Sequence, residues 1–417
     1  MADQRQTILV DKDLRPAYYD DFHCLMGACR YNCCDDPWDI YFEKGDYLKI
    51  KKTPKSPEME ELTRRCMHRL REETPGHLYA EFRNSGGEGH CAFHTAEGLC
   101  RLQLECGAET LPKVCREYPR SKTYLPSGYL ERALSPSCEA VLELLWNLPE
   151  GVDFRSDPLP RTEWKNIRFQ PGASSLSTRF SAVREWCIDR LQDRRFPLAQ
   201  RVLLMGLGLR ELAEGETDID RWLERAALLP ETVKPGEGLP GDGQSLRPFL
   251  YQHIRTLLSF DIEREGEFRR IRKELLTAMQ MEMEAPEPSS SLRNVQISLG
   301  PYLAARERYE TQLGERAYFM ENLAVTVFYM FRFPDVGTPE GLWKSYVTFC
   351  SIYSFFRFLS VMSCREGVED PKAELFRLIS QGSRAMIHSP TRRDSLRDGF
   401  FQNDSATLAH MAVLLCG

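Results

Sequence analysis

The sequence predicts a mainly α protein in two parts: a loop-rich, cysteine-rich N-terminal domain over residues 1–150 and an all-α helical domain over residues 176–417, joined by a connector at 151–175. Two observations predict this division. Ten of the fourteen cysteines lie between Cys24 and Cys138, among Gly, Pro, Asn and Asp, where burial in a core explains them poorly. From Leu176 onward, apolar residues recur at the spacing of one helix face. No internal repeat and no low-complexity tract interrupts either part.

Taken in order, "WDIYF" (Trp38 to Phe42) reads as a short strand or a turn of helix. "SPEMEELTRRCMHRLREE" opens with Ser56, Pro57 and acidic residues, the chemistry of a helix start, which places Cys66 inside a helix and not at a site. "RNSGGEGHCAF" is a glycine-rich loop leading to Cys91, and "EAVLELLWNL" is a helix that closes the domain. The connector is proline-containing and aperiodic. In the second part "PLAQRVLLMGLGLRELAEG" is an amphipathic helix whose Gly206 and Gly208 serve helix packing. "FLYQHIRTLLSFDIEREGEFRRIRKELLTAMQMEME" forms one long helix or two, followed by a linker at "APEPSSS". Met320, Leu323, Ala324, Val327, Phe328 and Phe331 share one helix face, as do Leu375, Leu378, Ile379 and Met386. Trp343 to Cys364 is apolar nearly all round and is the expected central buried helix.

Composition narrows the function classes. A net charge of −6 argues against a nucleic-acid partner, which needs a concentrated basic footprint. The N-terminus "MADQRQTILVDKDLRP" has no apolar core of a secretory signal. The most apolar stretch is broken by Arg357, whereas a membrane span needs about 20 apolar residues. A cytoplasmic protein without a membrane partner is expected, and stable disulfides are therefore not.

The early cysteines then carry the chemistry. The first group is C-x4-C-x3-C-C (Cys24, Cys29, Cys33, Cys34). The second is Cys91, Cys100, Cys106 and Cys115, with Cys138 following. In a reducing compartment such clusters read as metal-binding or catalytic. Thiolates select zinc, copper(I) or iron–sulfur clusters. The tight C-x2–4-C knuckles of structural zinc sites are missing as a pair, while iron–sulfur clusters accept irregular spacings. Iron–sulfur is thus preferred and zinc stays open, with His23, His90 and His94 available for a mixed site. A redox pair at Cys33–Cys34 is the third reading. A C-x3-C-x2-C radical motif fails because Asp36 stands at its third cysteine. No dinucleotide loop, phosphate loop, nucleophile elbow or H-E-x-x-H motif is present.

"FHCLMGACRYNCCDDPWDIYFEKGDYLKI" resembles the opening of the bacterial flagellin lysine N-methylases, within a broader group of cysteine-rich, iron- or zinc-chelating proteins. "HCAFHTAEGLCRL", "LPKVCREYPRS" and "LERALSPSCEAV" resemble that family's later blocks, in the expected order across residues 18–142. Cys24, Cys29, Cys33, Cys34, Cys91, Cys100, Cys115 and Cys138 match the pattern. Cys66 and Cys106 do not. Trp38 matches the aromatic after the double cysteine, Pro37 departs from the expected Gly, and His388 corresponds to a late family histidine.

The resemblance implies methyl transfer from S-adenosylmethionine to lysine side chains of flagellin, with a 4Fe–4S cluster. Eight matching thiols exceed the four that one cluster needs, so some serve other roles. At Cys33–Cys34, one sulfur is expected to bind metal while its neighbour faces the other way. In "CREYPR", Arg116 and Arg120 are candidates to hold the donor's carboxylate, and Tyr118 is the candidate catalytic residue. Their alternative is structural: the arginines solvated or paired with Glu117 and Glu131, and Tyr118 in the core. The donor's amino and carboxylate groups are expected to chelate an open iron. The competing function is a non-enzymatic zinc- or iron-binding module.

Overall fold

The computed structural model describes residues 6–34, 40–70, 78–83, 91–169, 179–259, 267–281, 297–335, 337–387 and 390–417. Among them are sixteen α-helices and nine short strands: β1 Gln6–Val10, β2 Lys12–Pro16, β3 Ile40–Phe42, β4 Met67–Arg69, β5 Ala80–Phe82, β6 Arg120–Tyr124, β7 Tyr129–Leu134, β8 Phe154–Pro158 and β9 Lys165–Phe169. The fold is mainly α, as expected.

The strands form three sheets, ordered β1-β9, β6-β7-β2-β8 and β3-β5-β4. In the second, β2 runs parallel to β7 and antiparallel to β8. The aperiodic stretch after residue 150 therefore supplies two strands and is not a free connector. Both strands are edges with exposed side chains, so no alternation of apolar residues marks them. Pro158 ends β8 where an edge tolerates a missing N–H.

Three hydrophobic clusters are buried among the described residues: a small one of Val10, Leu130 and Leu159 beside the strands, and two larger cores. The smaller of these two cores gathers Phe42, Ile50, Met59, Leu62, Cys66, Phe82, Phe93, Leu102 and Leu111. The Pro57–Cys66 helix enters it, capped by Ser56, whose Oγ accepts from the Met59 N–H at 3.3 Å. Cys66 is buried there as expected. This helix is shorter than its sequence pattern, because the chain turns at Met67 into β4.

The larger core fills the helical body and is centred on the Pro339–Met362 helix, buried along nearly its whole length. Thr338 caps that helix through the Gly341 N–H at 2.9 Å. Arg357 is accommodated because its Nε donates to the Gly417 carbonyl at 2.9 Å. Gly206 lies against the Tyr346 ring and Gly208 against Trp186, so both glycines serve close packing. Cys187, Cys350 and Cys364 are buried small residues of this core. The ambiguous stretch forms two helices, Asp242–Ser259 and Glu267–Ala278. The "APEPSSS" linker lies outside the described residues. No described helix is long and apolar enough to cross a membrane.

The Glu139–Trp146 helix forms as expected, but it joins the larger core. Trp146 packs edge-on against Phe319 and Phe376 at 5.7 and 5.9 Å. Tyr18, Phe22 and Leu134 enter the same core. Glu131 on β7 and Arg184 on the Phe180–Leu191 helix form a buried ion pair across the same junction.

Candidate functional site

A cavity of about 520 Å³ lies where the two cores meet. Cys24, Cys29, Cys33, Cys34, Cys91, Cys100, Cys115 and Cys138 all line it, and Cys66 and Cys106 do not. The local structure explains how distant thiols converge. Met26–Ala28 forms a tight turn after Cys24. Gly27 in that turn approaches the Thr95–Leu99 loop so closely that a Cβ would meet the Glu97 carbonyl at 2.5 Å. Gly98, at φ +74, packs on Gly27 in return. Asn32 stitches the same two segments: its Nδ2 donates to the Gly98 carbonyl at 2.7 Å, and its Oδ1 accepts from the Cys34 N–H at 2.9 Å. The Cys91 N–H donates to the Cys34 carbonyl at 2.9 Å.

The remaining thiols come from helix starts. Cys115 stands on the short Lys113–Glu117 helix, whose Lys113 N–H is held by Asp46 at 2.9 Å. Cys138 immediately precedes the Glu139–Trp146 helix. Glu139, only 8% exposed, accepts from the backbone N–H groups of Arg30 and Tyr31 at 2.7 and 3.2 Å. The Cys29 Sγ donates to the same carboxylate at 3.3 Å.

These contacts sort the thiols electrostatically. Hydrogen bonds to Cys33 and Cys91, with burial, push the Cys34 thiol up. Cys91 moves down because Cys34 donates to it, making it the group's favoured thiolate. Burial raises Cys100 and Cys115, which also feel Cys91 and Cys33. Cys115 has open surface, but that surface faces the cavity, so protein atoms still desolvate it. Burial lifts Cys138 to about 11. Burial and then the neighbouring Glu139 raise Cys29. The two adjacent sulfurs do not face opposite ways as expected: Cys33 and Cys34 are hydrogen-bonded to each other and line one cavity.

Tyr118 lines the cavity, and its hydroxyl lies 3.0 Å from Ser137 Oγ. Burial raises its phenol, which therefore stays protonated. Arg116 and Arg120 lie outside the lining. Arg116 donates to the Leu111 carbonyl at 2.9 Å, and Arg120 stacks 4.6 Å from the centre of the Phe22 ring. Glu131, their alternative partner, is bound by Arg184. His23 is exposed and bonds the Asp21 carbonyl at 2.9 Å. His94 pairs in a bridge with Cys100 but does not line the cavity. His90, His388, Pro37 and Trp38 lie outside the described residues.

Sequence reasoning missed Asn32, Glu139 and Arg384. The first two adjoin cysteines, which was the available signal. Arg384 had none: it reaches the cavity from the Pro371–Ile387 helix. Among the described lining residues Arg384 is the sole cation and Glu139 the sole carboxylate. Apolar side chains fill most of the wall, with Leu25, Met26, Leu104 and Val114 exposed beside it. Among the described residues no three His, Cys, Asp or Glu side chains gather closely enough to hold a single ion.

A family model described as FliB lysine N-methylase C-terminal domain matches residues 184–414, more than half of the chain. The chain belongs to the FliB lysine N-methylase family. The matched span begins beyond the eight cysteines and includes the Pro371–Ile387 helix that carries Arg384. The chain is 28% identical over 166 residues to lysine-N-methylases of Salmonella choleraesuis and Salmonella typhimurium, covering 40% of this chain and 40% of each relative. It is 26% identical over 138 residues to the flagellar biosynthetic protein FliU of Salmonella muenchen, covering 33% of this chain and 78% of that protein. The match thus spans well under half the length of the two lysine-N-methylases. No solved structure matches.

Proposed function

We propose that this chain transfers methyl groups from S-adenosylmethionine to lysine side chains of flagellin, with a 4Fe–4S cluster held by its N-terminal cysteines. Membership of the FliB family supports lysine methylation, and the name of the FliU relative supports a flagellar substrate. The observation that carries the reading is the convergence of eight thiols, from segments more than a hundred residues apart, on one cavity. The donor set fits an iron–sulfur group, since thiolates are its ordinary ligands. Cys33, Cys34, Cys91, Cys100 and Cys115, which interact with one another, and Cys138, which interacts with Cys33, are the candidates to hold it. Cys29, committed to Glu139, fits least. When bound, such a centre would supply an electrophilic iron able to anchor the donor.

The chain's own residues then meet the demands of methyl transfer. The methyl carbon leaves the sulfonium sulfur, which keeps the bonding pair, and bonds to the lone pair of lysine Nζ. The amine must first lose its proton, and a low-dielectric wall lowers an amine's pKa by penalising the charged form. Leu25, Leu99, Leu102 and Val114 supply that wall and suit the four-carbon lysine stem. Among the lining side chains Tyr31, Tyr118, Phe82 and Phe93 are aromatic, a type of group that attracts a sulfonium cation, while the Phe22 ring carries the Arg120 guanidinium. Tyr118, a protonated phenol held by Ser137, serves as a hydrogen-bond partner that orients Nζ and not as the base.

The test is anaerobic purification followed by incubation with flagellin and labelled S-adenosylmethionine, read by peptide mass spectrometry. Brown protein and single-methyl increments on flagellin lysines are expected. Colourless protein with stoichiometric zinc, no donor binding and unmodified flagellins would overturn the reading in favour of a non-enzymatic metal-binding module.

A further inference from the structure

Arg384 belongs to the helical body, yet its guanidinium ends at the thiol cavity. The residue is 6% exposed. Nη2 donates to the Tyr31 carbonyl at 2.9 Å, Nη1 to the Asn32 carbonyl at 3.2 Å, and Nε to the Ser137 carbonyl at 3.4 Å. Asn32 immediately precedes Cys33, and Ser137 immediately precedes Cys138. One side chain therefore bonds the peptide units that set the direction of the first cysteine block and of the last. The same helix ties both blocks again: the Tyr31 hydroxyl donates to the Ala373 carbonyl at 3.2 Å, and Lys372 pairs with Glu143 at 2.8 Å.

We propose that Arg384 is a positioning residue for the thiol cavity: it fixes Cys33–Cys34 relative to Cys138 and supplies a positive charge in the wall of the cavity that they line. The charge half rests on the reading that these thiols hold a metal group, and the spacing half does not. The planar fork of arginine suits three carbonyls spread across two segments, whereas a lysine ammonium is a single point. A buried cation beside several thiolates also offsets their mutual repulsion, which low dielectric magnifies. In this way the helical body matched by the family model contributes to a site whose thiols lie outside the match.

The full-length, metal-free chain is alkylated with iodoacetamide, and each cysteine is followed by mass spectrometry in the wild type, Arg384→Gln and Arg384→Lys. In Arg384→Gln, the rates at Cys34 and Cys138, each divided by the thiolate fraction taken from its own pH profile, rise about tenfold, the change expected for losing a charge-assisted hydrogen bond, because loss of the cation itself only lowers that fraction. Buried Cys187 and Cys350 stay protected, which shows the helical core intact, and Arg384→Lys falls between. Unchanged rates on that basis at Cys34 and Cys138 would overturn the spacing role. So would equal acceleration of Cys187 and Cys350, because Arg384 would then serve only the general fold. Each protein is next loaded anaerobically with ferrous iron and sulfide. Arg384→Gln is expected to retain less iron and to hold it at a more negative reduction potential, while Arg384→Lys keeps the wild-type potential. Equal loading and equal potential in wild type and Arg384→Gln would overturn the charge role. A wild-type chain that takes up no iron would overturn both the cluster reading and the charge role, leaving the alkylation result to decide the spacing role.

Discussion

Replacing Glu131 tests whether the sheet carrying the end of the cysteine region and the helical body are one unit. Glu131 and Arg184 are each 4% exposed at the side chain. Both terminal nitrogens of Arg184 bond the two carboxylate oxygens, one at 3.0 Å. The guanidinium also lies 4.6 and 4.8 Å from the ring centres of Phe180 and Tyr329. Glu131→Gln keeps one acceptor but leaves a buried cation without its counter-charge. Breaking such a pair from one side costs about 3–5 kcal/mol, and the retained acceptor returns about 1 kcal/mol, so a loss of roughly 2–4 kcal/mol is expected. Glu131→Leu with Arg184→Met removes both charges, and its cost should fall below the sum of the single changes by about 2 kcal/mol or more. Urea unfolding followed by tryptophan fluorescence reads both quantities, and Trp186 lies two residues from Arg184. A loss under about 1 kcal/mol for Glu131→Gln, or additivity within about 0.5 kcal/mol, would refute a shared buried pair at this junction.

Gly206→Ala drives a Cβ into the Tyr346 ring. Overpacking of about 1–3 kcal/mol should outweigh the helix gain of at most about 1 kcal/mol, so the thermal midpoint should drop, and a rise would contradict the close-packing role. Burial holds His253 down at about 3, so its imidazole stays neutral in the core, 2.7 Å from Ser354 Oγ. Its folded value lies below the unfolded value of about 6.5, so the unfolded chain takes the proton first. Stability is therefore lost as pH falls from about 6.5 toward 3, by roughly 2 kcal/mol between pH 7 and 5. His253→Phe should flatten that part of the profile in urea titrations at each pH. Cys34→Ser and Cys91→Ser should each lose most of the iron retained by the anaerobic protein, whereas Cys106→Ser, outside the cavity, should keep it; equal retention in all three would break the assignment. Tyr118→Phe keeps the ring but removes the bond to Ser137; kcat for the proposed methylation should fall by up to about 100-fold with the donor's KM unchanged, and an unaltered kcat would remove Tyr118 from the orienting role.

The sequence was most informative where one residue type or one period dominates. The crowding of thiols is a covalent fact, and their convergence needed only that the chain fold back once. The Pro339–Met362 helix was legible because nearly every side of it is apolar, which only a central position satisfies. Strands β6, β8 and β9 were not legible, because they are short and mostly exposed and carry no alternation to read. The Glu139–Trp146 helix shows a subtler limit. Its apolar face was plain, but a face does not name its partner. Leu142, Leu145 and Trp146 pack into the helical body, while Ala140 at the start of the helix also lines the thiol cavity. The arginines of "CREYPR" show a related limit. Their residue type suits an anion site, but the backbone directs Arg116 to a carbonyl and Arg120 to Phe22.

The distribution of thiols bears on which metal group the cavity suits. The eight sulfurs line a space of about 520 Å³ from several of its walls. On the function proposed above, a group with several metal atoms would take sulfurs from different walls of that space. The same layout explains why eight thiols need not all be ligands. Cys29 donates a hydrogen bond to Glu139, which also accepts from the Arg30 and Tyr31 amides. That thiol fastens the first block to the helix after Cys138, and a metal bound there would have to displace a carboxylate beside a thiolate. Arg384 braces the opposite side of the same segment through the Tyr31 and Asn32 carbonyls. The double cysteine is thus gripped at its approach by a buried anion and a buried cation. Both Cys33 and Cys34 line one cavity, and these bonds fix the backbone from which their side chains leave.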